Sequence, residues 1–278
     1  NCERKNIMAT TPVVKKETEI MAQDANVLDM SMFVADSGVG NKEVDQDSLS
    51  IPFLKTNLTK QIRALHKGSS EGDVINTVTN SIYNGENGFK VIPCAYQRRF
   101  IQWSPQGDDN TAPIAIYTNK EACPTTERSK EDNKEYLTDG SGQYIEDTHQ
   151  HFVLVLNDDG STDVGMIAMK STSLKKSKKW NSIIAGRKMT TPEGSVFSPP
   201  RFAHIYHLWT YLEEKSGYSW YNWEMKLEGQ VTQKAHYDEA KLFALSVEKG
   251  DVNVKHEQEG GTSSAPADLG VSDDKIPF

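Results

Sequence analysis

The 278-residue chain is 36% hydrophobic and 25% charged, and its formal net charge is −8. This composition is typical of a globular protein with polar appendages, and no apolar run approaches the ~20 residues that a membrane-spanning helix needs. No signal-peptide h-region is present either, so we expect a cytosolic protein. The three cysteines are scattered and odd in number, which implies no disulfide framework.

The charges are unevenly distributed along the chain. Residues 251–278 carry six acids against two lysines. Residues 165–192 contain no acid and seven basic residues, namely Lys170, Lys175, Lys176, Lys178, Lys179, Arg187 and Lys188. Polyanion binding depends on local cations, so the negative total does not exclude a nucleic-acid partner.

Residues 1–50 predict a mostly disordered N-terminal arm. They are polar and lack a sustained hydrophobic period. One short helix is predicted near 20–34. Met8 is the expected initiator, so residues 1–7 are not expected to be native. The folded body is predicted over 51–250.

The body begins with β-strands. Residues 72–83 are rich in β-formers and precede the turn sequence NGENG, and 89–105 is predicted to be one long strand. Residues 107–148 are an acidic insertion, with eight acids and three bases between Glu121 and Asp147. We expect this insertion to be an exposed excursion.

Two hairpins and two helices complete the body. Apolar runs around an Asp-Gly turn predict a hairpin over 151–170, and a second is predicted over 201–229 with EEKSGYS as its loop. Hydrophobic periodicity predicts helices over 171–186 and 234–250. This order predicts a mainly β fold, an OB-like, partly open antiparallel barrel with inserted helices. Residues 251–278 have the composition of a flexible acidic tail.

The second hairpin places aromatic residues on its polar face. Alternate strand residues face opposite sides, so Tyr218 and Trp220 fall on the polar face. The core face receives Tyr221, Trp223, Met225 and Leu227. Exposed rings can stack on the bases of a single strand; covering a loop or contacting another subunit is the alternative.

The strand over 89–105 combines cations with aromatic rings and contains no acid. A groove for single strands needs cations for the phosphates and rings for the bases. The alternative is an ordinary sheet in which Phe100 and Trp103 pack inward and the arginines are solvated. The candidate contacts on this strand are Lys90, Tyr96, Arg98 and Arg99.

The helix over 171–186 contains LKKSKKW, with four lysines in five residues and no counter-charge. Like charges at three- and four-residue spacing repel each other, and a polyanion would relieve that repulsion. Contact with nucleic acid is therefore favoured over a solvated face. The candidate contacts are the seven basic residues of 165–192, together with Trp180.

Enzymatic signatures are weak. There is no GxxxxGK[ST] loop and no GxSxG elbow. His149 and His151 could combine with Cys94 and Cys123 in a zinc site, but finger spacing is missing and structural histidines are favoured. We predict no enzyme, no metal and no cofactor; a nuclease with scattered carboxylates is the alternative.

The final DDKIPF resembles the carboxyl tip of bacterial and phage single-stranded-DNA-binding proteins, where acids precede Ile-Pro-Phe or a terminal Phe. The resemblance implies a docking segment whose acids meet a basic rim on a partner while the Phe fills a pocket. Lys275 departs from the all-acidic pattern. The residues expected to bind the partner are Asp273, Asp274, Ile276, Pro277 and Phe278.

The body is similar to tailed-phage single-stranded-DNA-binding proteins over about residues 50–250, through IPFLKTNLTKQ, GDVINTVTNSIY, VIPCAYQRRFIQW and LKKSKKWNS. The resemblance implies an OB-fold that coats single strands during phage DNA replication, recombination and repair in the host bacterial cytoplasm. Its tail would recruit a polymerase, helicase or primase. The alternative is a non-catalytic interaction protein, a transcription or replication cofactor with little DNA affinity.

Overall fold

The computed structural model describes residues 30–41, 50–56, 66–105, 107, 112–215, 217–252, 254 and 256. The chain divides into two units, residues 1–44 and 45–278. In the first unit the described part is helix α1 (Met30–Ala35) and the turns that follow it. The rest of the predicted arm lies outside the described residues.

The second unit is mainly β. Its described helices are α2 (Leu174–Ala185) and α3 (Lys234–Lys249), with short 3-10 turns at Lys120–Ala122, Ser171–Ser173 and Arg201–Ala203. Its described strands are β1 (Leu54–Lys55), β2 (Val74–Asn76), β3 (Ile82–Tyr83), β4 (Phe89–Trp103), β5 (Ala115–Tyr117), β6 (Thr126–Arg128), β7 (Glu135–Leu137), β8 (Tyr144–Leu156), β9 (Thr162–Lys170), β10 (Met189–Thr190), β11 (Val196–Phe197), β12 (His204–Lys215) and β13 (Tyr218–Gln230).

Strand β8 is the centre of the main sheet. It pairs antiparallel with β4 along its whole length and with β9 through the Asp-Gly turn, which confirms the first predicted hairpin. Val153 and Val155 are buried on one face of β8, and Phe152 and Leu154 are buried on the other. The sheet is therefore covered on both sides here, as the continuous apolar run HFVLVL indicates.

The second hairpin joins the sheet only at its base. β12 pairs with β13 over its full length, but with β4 only where Tyr206–Leu208 lies opposite Phe89–Val91. The paired strands reach Lys215 and Tyr218, so the connection is tighter than the predicted loop EEKSGYS. Beyond the base, β4–β8 and β12–β13 form two separate β arms.

The strand order β13-β12-β4-β8, with β9 added on β8, makes the curled, open antiparallel half-barrel that the sequence predicts. Helix α2 contacts β9 and β13, the two ends of this curl. Its inward residue Trp180 is fully buried, stacked on His151 with 4.7 Å between ring centroids. Replacing such a buried indole by alanine costs about 3–5 kcal/mol of folding free energy. Helix α2 is therefore part of the hydrophobic core through Trp180.

Helix α3 covers the opposite face of the sheet. It ends at Gly250, whose φ of 82° suits glycine at a helix end and confirms the predicted boundary. Its apolar stripe packs on β4, β8 and β9 through Ala240, Phe243, Ala244 and Val247.

Most described side chains of 107–148 are exposed, as predicted, but the insertion is paired with the sheet and is not a free excursion. β5 pairs with β4, and the β6–β7 hairpin joins β8 through Glu135 and Tyr136. Leu137 and Ile145 are buried with Phe100 in a small apolar cluster. The insertion therefore extends the sheet and thickens the β4–β8 arm.

The segment 66–88 docks on β12 by a close backbone approach. Thr210 donates its amide to the Gly85 carbonyl at 2.8 Å and its hydroxyl to the Gly72 carbonyl at 2.5 Å. A Cβ at Gly85 would lie 1.9 Å from the Gly72 oxygen. Glycine is required at position 85 because a side chain there would collide with the backbone carbonyl of Gly72.

Candidate nucleic-acid interface

A groove of ≈ 1260 Å³ is lined by both β arms and by the start of α2. Eight basic side chains line it against five acidic ones, a local excess of positive charge in a chain whose total is −8. The basic residues are Arg98, Lys120, Arg128, Lys134, Lys175, Lys176, Lys179 and Lys215. The acidic residues are Asp132, Glu135, Glu146, Asp147 and Glu213.

The lysines of α2 do have counter-charges, contrary to the expectation from the helix alone. Glu224 of β13 pairs with Lys176 at 3.1 Å and with Lys179 at 2.6 Å. Burial opposes ionisation of Glu224, but the hydrogen bonds from the two lysines outweigh it and lower the pKa of that carboxyl. Lys175 and Lys178 are exposed and form no ion pair within the described part of the chain.

Arg98 lies on the β4–β8 arm in a bidentate pair with Asp147. Its Nε and Nη2 donate to the two carboxylate oxygens at 2.8 and 2.7 Å, and its guanidinium lies 4.7 Å from the centroid of the Phe100 ring. The hydrogen bonds to Asp147 are the largest cause of the raised pKa of Arg98. This planar fork is the geometry with which arginine also binds phosphate.

Three aromatic side chains accompany the cations in the groove. Trp220 is half-buried on the β12–β13 arm, while Phe100 and Tyr144 are buried on the other arm. Lys134 lies 4.3 Å above the Tyr144 ring. Tyr218, 76% exposed, lines a smaller hollow of ≈ 440 Å³ at the hairpin tip, and Lys215 lines both spaces.

The groove brings together five of the predicted DNA contacts, which are Arg98, Lys175, Lys176, Lys179 and Trp220. Others lie elsewhere. Lys90 pairs with Glu228 near the other end of β4, and Lys188 bonds to Ser198 beyond the far end of α2. Arg187 follows that same end of α2.

Arg99 and Lys170 lie on the opposite face of the sheet from Arg98. Lys170 pairs with Glu146 at 3.3 Å, and Arg99 donates to Gln97 at 2.5 Å. Alternation along β4 separates Arg99 from Arg98, so only one of the two adjacent arginines faces the groove.

The expectation that Trp180 contacts DNA is wrong, because its side chain is fully buried. Tyr96 is half-buried beneath the groove, with its ring 5.5 Å from that of His149 and 5.6 Å from the Arg201 guanidinium. Burial is the largest cause of its raised pKa. Both rings support the site from inside the fold.

Sequence reasoning missed four groove cations, Lys120, Arg128, Lys134 and Lys215. Three of them belong to the acidic insertion, whose net charge hid them. Arg128 and Lys134 belong to the β6–β7 hairpin, and the pairing of that hairpin with β8 has no local sequence signal. The predicted docking residues Asp273, Asp274, Ile276, Pro277 and Phe278 lie outside the described residues.

His149 and His151 form a buried polar cluster. Both rings lie 2.7 Å from the hydroxyl of Ser177, and burial is the largest cause of the lowered pKa of each. Cys94 is buried, and burial raises the pKa of its thiol to about 12. Among the described residues, no group of three or more His, Cys, Asp and Glu is placed to hold a metal ion.

The fold and the groove together define a β half-barrel protein with a basic, aromatic cleft. The chain belongs to the Pam3 phage gp34-like protein family, whose family model matches residues 15–253. A search of curated proteins and a search of solved structures each found no match. Within the described residues, no helix is both long and apolar enough to cross a membrane.

Proposed function

We propose that this phage-family protein binds single-stranded DNA in the groove with little sequence preference, and coats it without catalysis during phage DNA replication and recombination. The observation that carries the proposal is the groove itself, where eight basic side chains and the half-buried Trp220 face one continuous space. Its phosphate-binding and base-stacking groups are of the kinds that sequence-tolerant single-strand binding uses.

A single strand fits this lining better than a duplex. Stacking on Trp220 in the groove, or on Tyr218 in the smaller hollow at the hairpin tip, needs a base whose face is free, and duplex bases are stacked on each other. Both arms and α2 contribute cations to the lining, so the phosphates of a flexible strand can contact more than one of these elements.

The unpaired cations predict the salt dependence. Lys120, Lys175 and Lys215 line the groove and form no ion pair with any described residue. Each phosphate contact on a single strand contributes about −0.7 to the slope of log K against log salt, so these three alone predict a slope of about −2. Cations that must first leave a carboxylate, such as Lys179, add less.

The proposal also gives the carboxyl-terminal segment a role. We propose that residues 268–278 recruit replication proteins in the host cytoplasm, by the acid-then-aromatic chemistry that DDKIPF shares with single-stranded-DNA-binding proteins. The sequence resemblance supports this part, and the groove is independent of it.

The test is titration with oligo-dT followed by tryptophan fluorescence at several salt concentrations, for the full chain and for a chain truncated after Ala267. We expect quenching and a salt slope of about −2 or steeper. We also expect tighter binding after truncation, because the acidic tail would no longer compete with DNA for the groove cations. Absence of salt-sensitive binding would overturn the proposal and favour the interaction protein. Degradation of the oligonucleotide on adding magnesium would instead reveal a nuclease.

A further inference from the structure

A hydrogen-bond chain with a defined direction runs beneath the groove. Arg201 Nη2 lies 3.0 Å from His151 Nδ1, and because a guanidinium only donates, this ring nitrogen accepts. Neutral His151 therefore carries its proton on Nε2, and it donates that proton to Ser177 Oγ at 2.7 Å.

Ser177 is the donor of the next hydrogen bond in the chain, and His149 is its acceptor. Its hydroxyl already accepts from His151, and its one proton has His149 Nδ1 2.7 Å away as the acceptor. Neutral His149 then carries its proton on Nε2. That nitrogen is 3.7 Å from Asp147 Oδ1, too far for a hydrogen bond, and it has no hydrogen-bond partner in the described structure.

The chain stops short of Asp147 because Arg98 holds this carboxylate by both oxygens. Arg98 and Asp147 both line the groove. A phosphate that takes Arg98 therefore leaves Asp147 with the buried imidazole N–H of His149, 3.7 Å away, as an alternative partner.

The groups that face His149 come from three elements. Strand β8 supplies Asp147 and His151, β4 supplies Arg98 and Tyr96, and α2 supplies Lys178 and Ser177. Arg98 and Lys178 disfavour the charged ring, and Asp147 favours it. Neutralising Arg98 removes one of the two opposing cations and frees the only carboxylate of this set.

We propose that Asp147 is shared between Arg98 and His149, so that a polyanion that binds Arg98 moves the carboxylate to His149 and a proton from solvent to the ring. The proton enters at Nδ1, which changes from acceptor to donor, so Ser177 Oγ then accepts from both histidines. The hydroxyl proton of Ser177 turns to a carbonyl of the preceding helical turn, the acceptor that serine uses within helices, while Nε2–H meets Asp147. The ligand in this statement rests on the proposed function, but the exchange of Asp147 is a property of the protein alone.

The ligand-free test is an NMR titration of the histidines in Arg98→Gln. We expect the pKa of His149 to rise by about one unit, because an unpaired carboxylate within ~4–6 Å favours the charged ring. Arg128→Gln is the matched control, since it breaks another groove-lining pair, with Glu135 at 3.9 Å, away from His149. An unchanged His149 titration in Arg98→Gln would overturn the inference.

The second test is calorimetric titration with oligo-dT at pH 7 in two buffers of different ionisation enthalpy. We expect net proton uptake by the natural protein, and loss of that uptake in His149→Gln and in the more conservative Asp147→Asn. Binding with the same proton uptake in all three proteins contradicts the inference and leaves the proposed function standing. Absence of binding contradicts the proposed function, while the ligand-free titration still decides the exchange of Asp147.

Discussion

At the scale of single residues, the four lysines of LKKSKKW are not equivalent. Lys176 and Lys179 share Glu224, whereas Lys175 and Lys178 are exposed and unpaired within the described residues. The side chains of Glu224 and Lys176 are both only 19% exposed, so a phosphate that displaces Glu224 leaves a partly buried carboxylate and costs more than breaking a pair at the surface. Lys175 requires no displacement of a described carboxylate, because none of them pairs with it.

Lys175→Gln should weaken oligo-dT binding and flatten the salt slope by about 0.7, the contribution of one phosphate on a single strand. The measurement is a fluorescence titration at four or more salt concentrations. Lys188→Gln is the matched control, because this lysine bonds to Ser198 outside the groove. Equal effects of the two substitutions would mean that only total charge matters.

Trp220→Ala should cost about 1–3 kcal/mol of binding free energy, the value of one base stacked on an aromatic side chain. Trp220→Phe should keep most of the affinity but lose most of the quenching, because Trp103, Trp180 and Trp223 are buried. Trp209→Phe, outside the groove lining, should keep both properties. Quenching that survives Trp220→Phe would place the contact elsewhere.

At the scale of elements, the second hairpin depends on its docking against residues 66–88. The contact is made by the amide and the hydroxyl of Thr210, which donate to the carbonyls of Gly85 and Gly72. The β12–β13 arm carries Trp220 and Lys215, so this docking sets where one wall of the groove stands.

Gly85→Ala should therefore destabilise the fold by about 3 kcal/mol, the upper range for overpacking, because its methyl group meets the Gly72 carbonyl oxygen. Gly229→Ala is the control, since a Cβ at that glycine contacts nothing within 4 Å. Urea unfolding of both variants measures the difference. Similar midpoints for the two would show that the segment moves aside freely.

At the scale of the whole molecule, neutral histidines tie stability to pH. Burial lowers the pKa of His149 and His151, and it lowers that of His256 to about 4, with Lys170 and Arg99 adding to the effect. His256 accepts a 2.7 Å hydrogen bond from Gln150, and a protonated ring could not accept it. The unfolded chain therefore takes up these protons at higher pH than the folded one.

Stability should consequently be fully present above the unfolded histidine pKa of about 6.5 and fall as the pH drops from there toward 4. Urea midpoints between pH 7.5 and 4.5 measure the fall. His256→Gln should make the curve shallower, since it removes the share of the pH dependence that His256 contributes between about pH 6.5 and 4. A midpoint that stays constant down to pH 5 would contradict the buried neutral state.

Local pattern was sufficient for the elements that have their own period or turn signal. The Asp-Gly hairpin, both long helices and the end of α3 at Gly250 follow directly from spacing, and the curled sheet follows from their order. The groove was only half predictable, because its second wall depends on long-range pairing of β7 with β8. The pairing of Glu224 with Lys179 could not be predicted for the same reason, because the two residues are 45 positions apart in the sequence.

Helix α2 closes the half-barrel and also lines the groove, so its buried face serves folding and its exposed face serves binding. Ser177 and Trp180 face the core, while Lys175 and Lys178 face solvent. Tolerance to substitution should therefore vary with a period of three to four residues along the twelve residues of α2. In a saturation library scored separately for folding and for DNA binding, the two sets of sensitive positions in α2 should interleave rather than coincide.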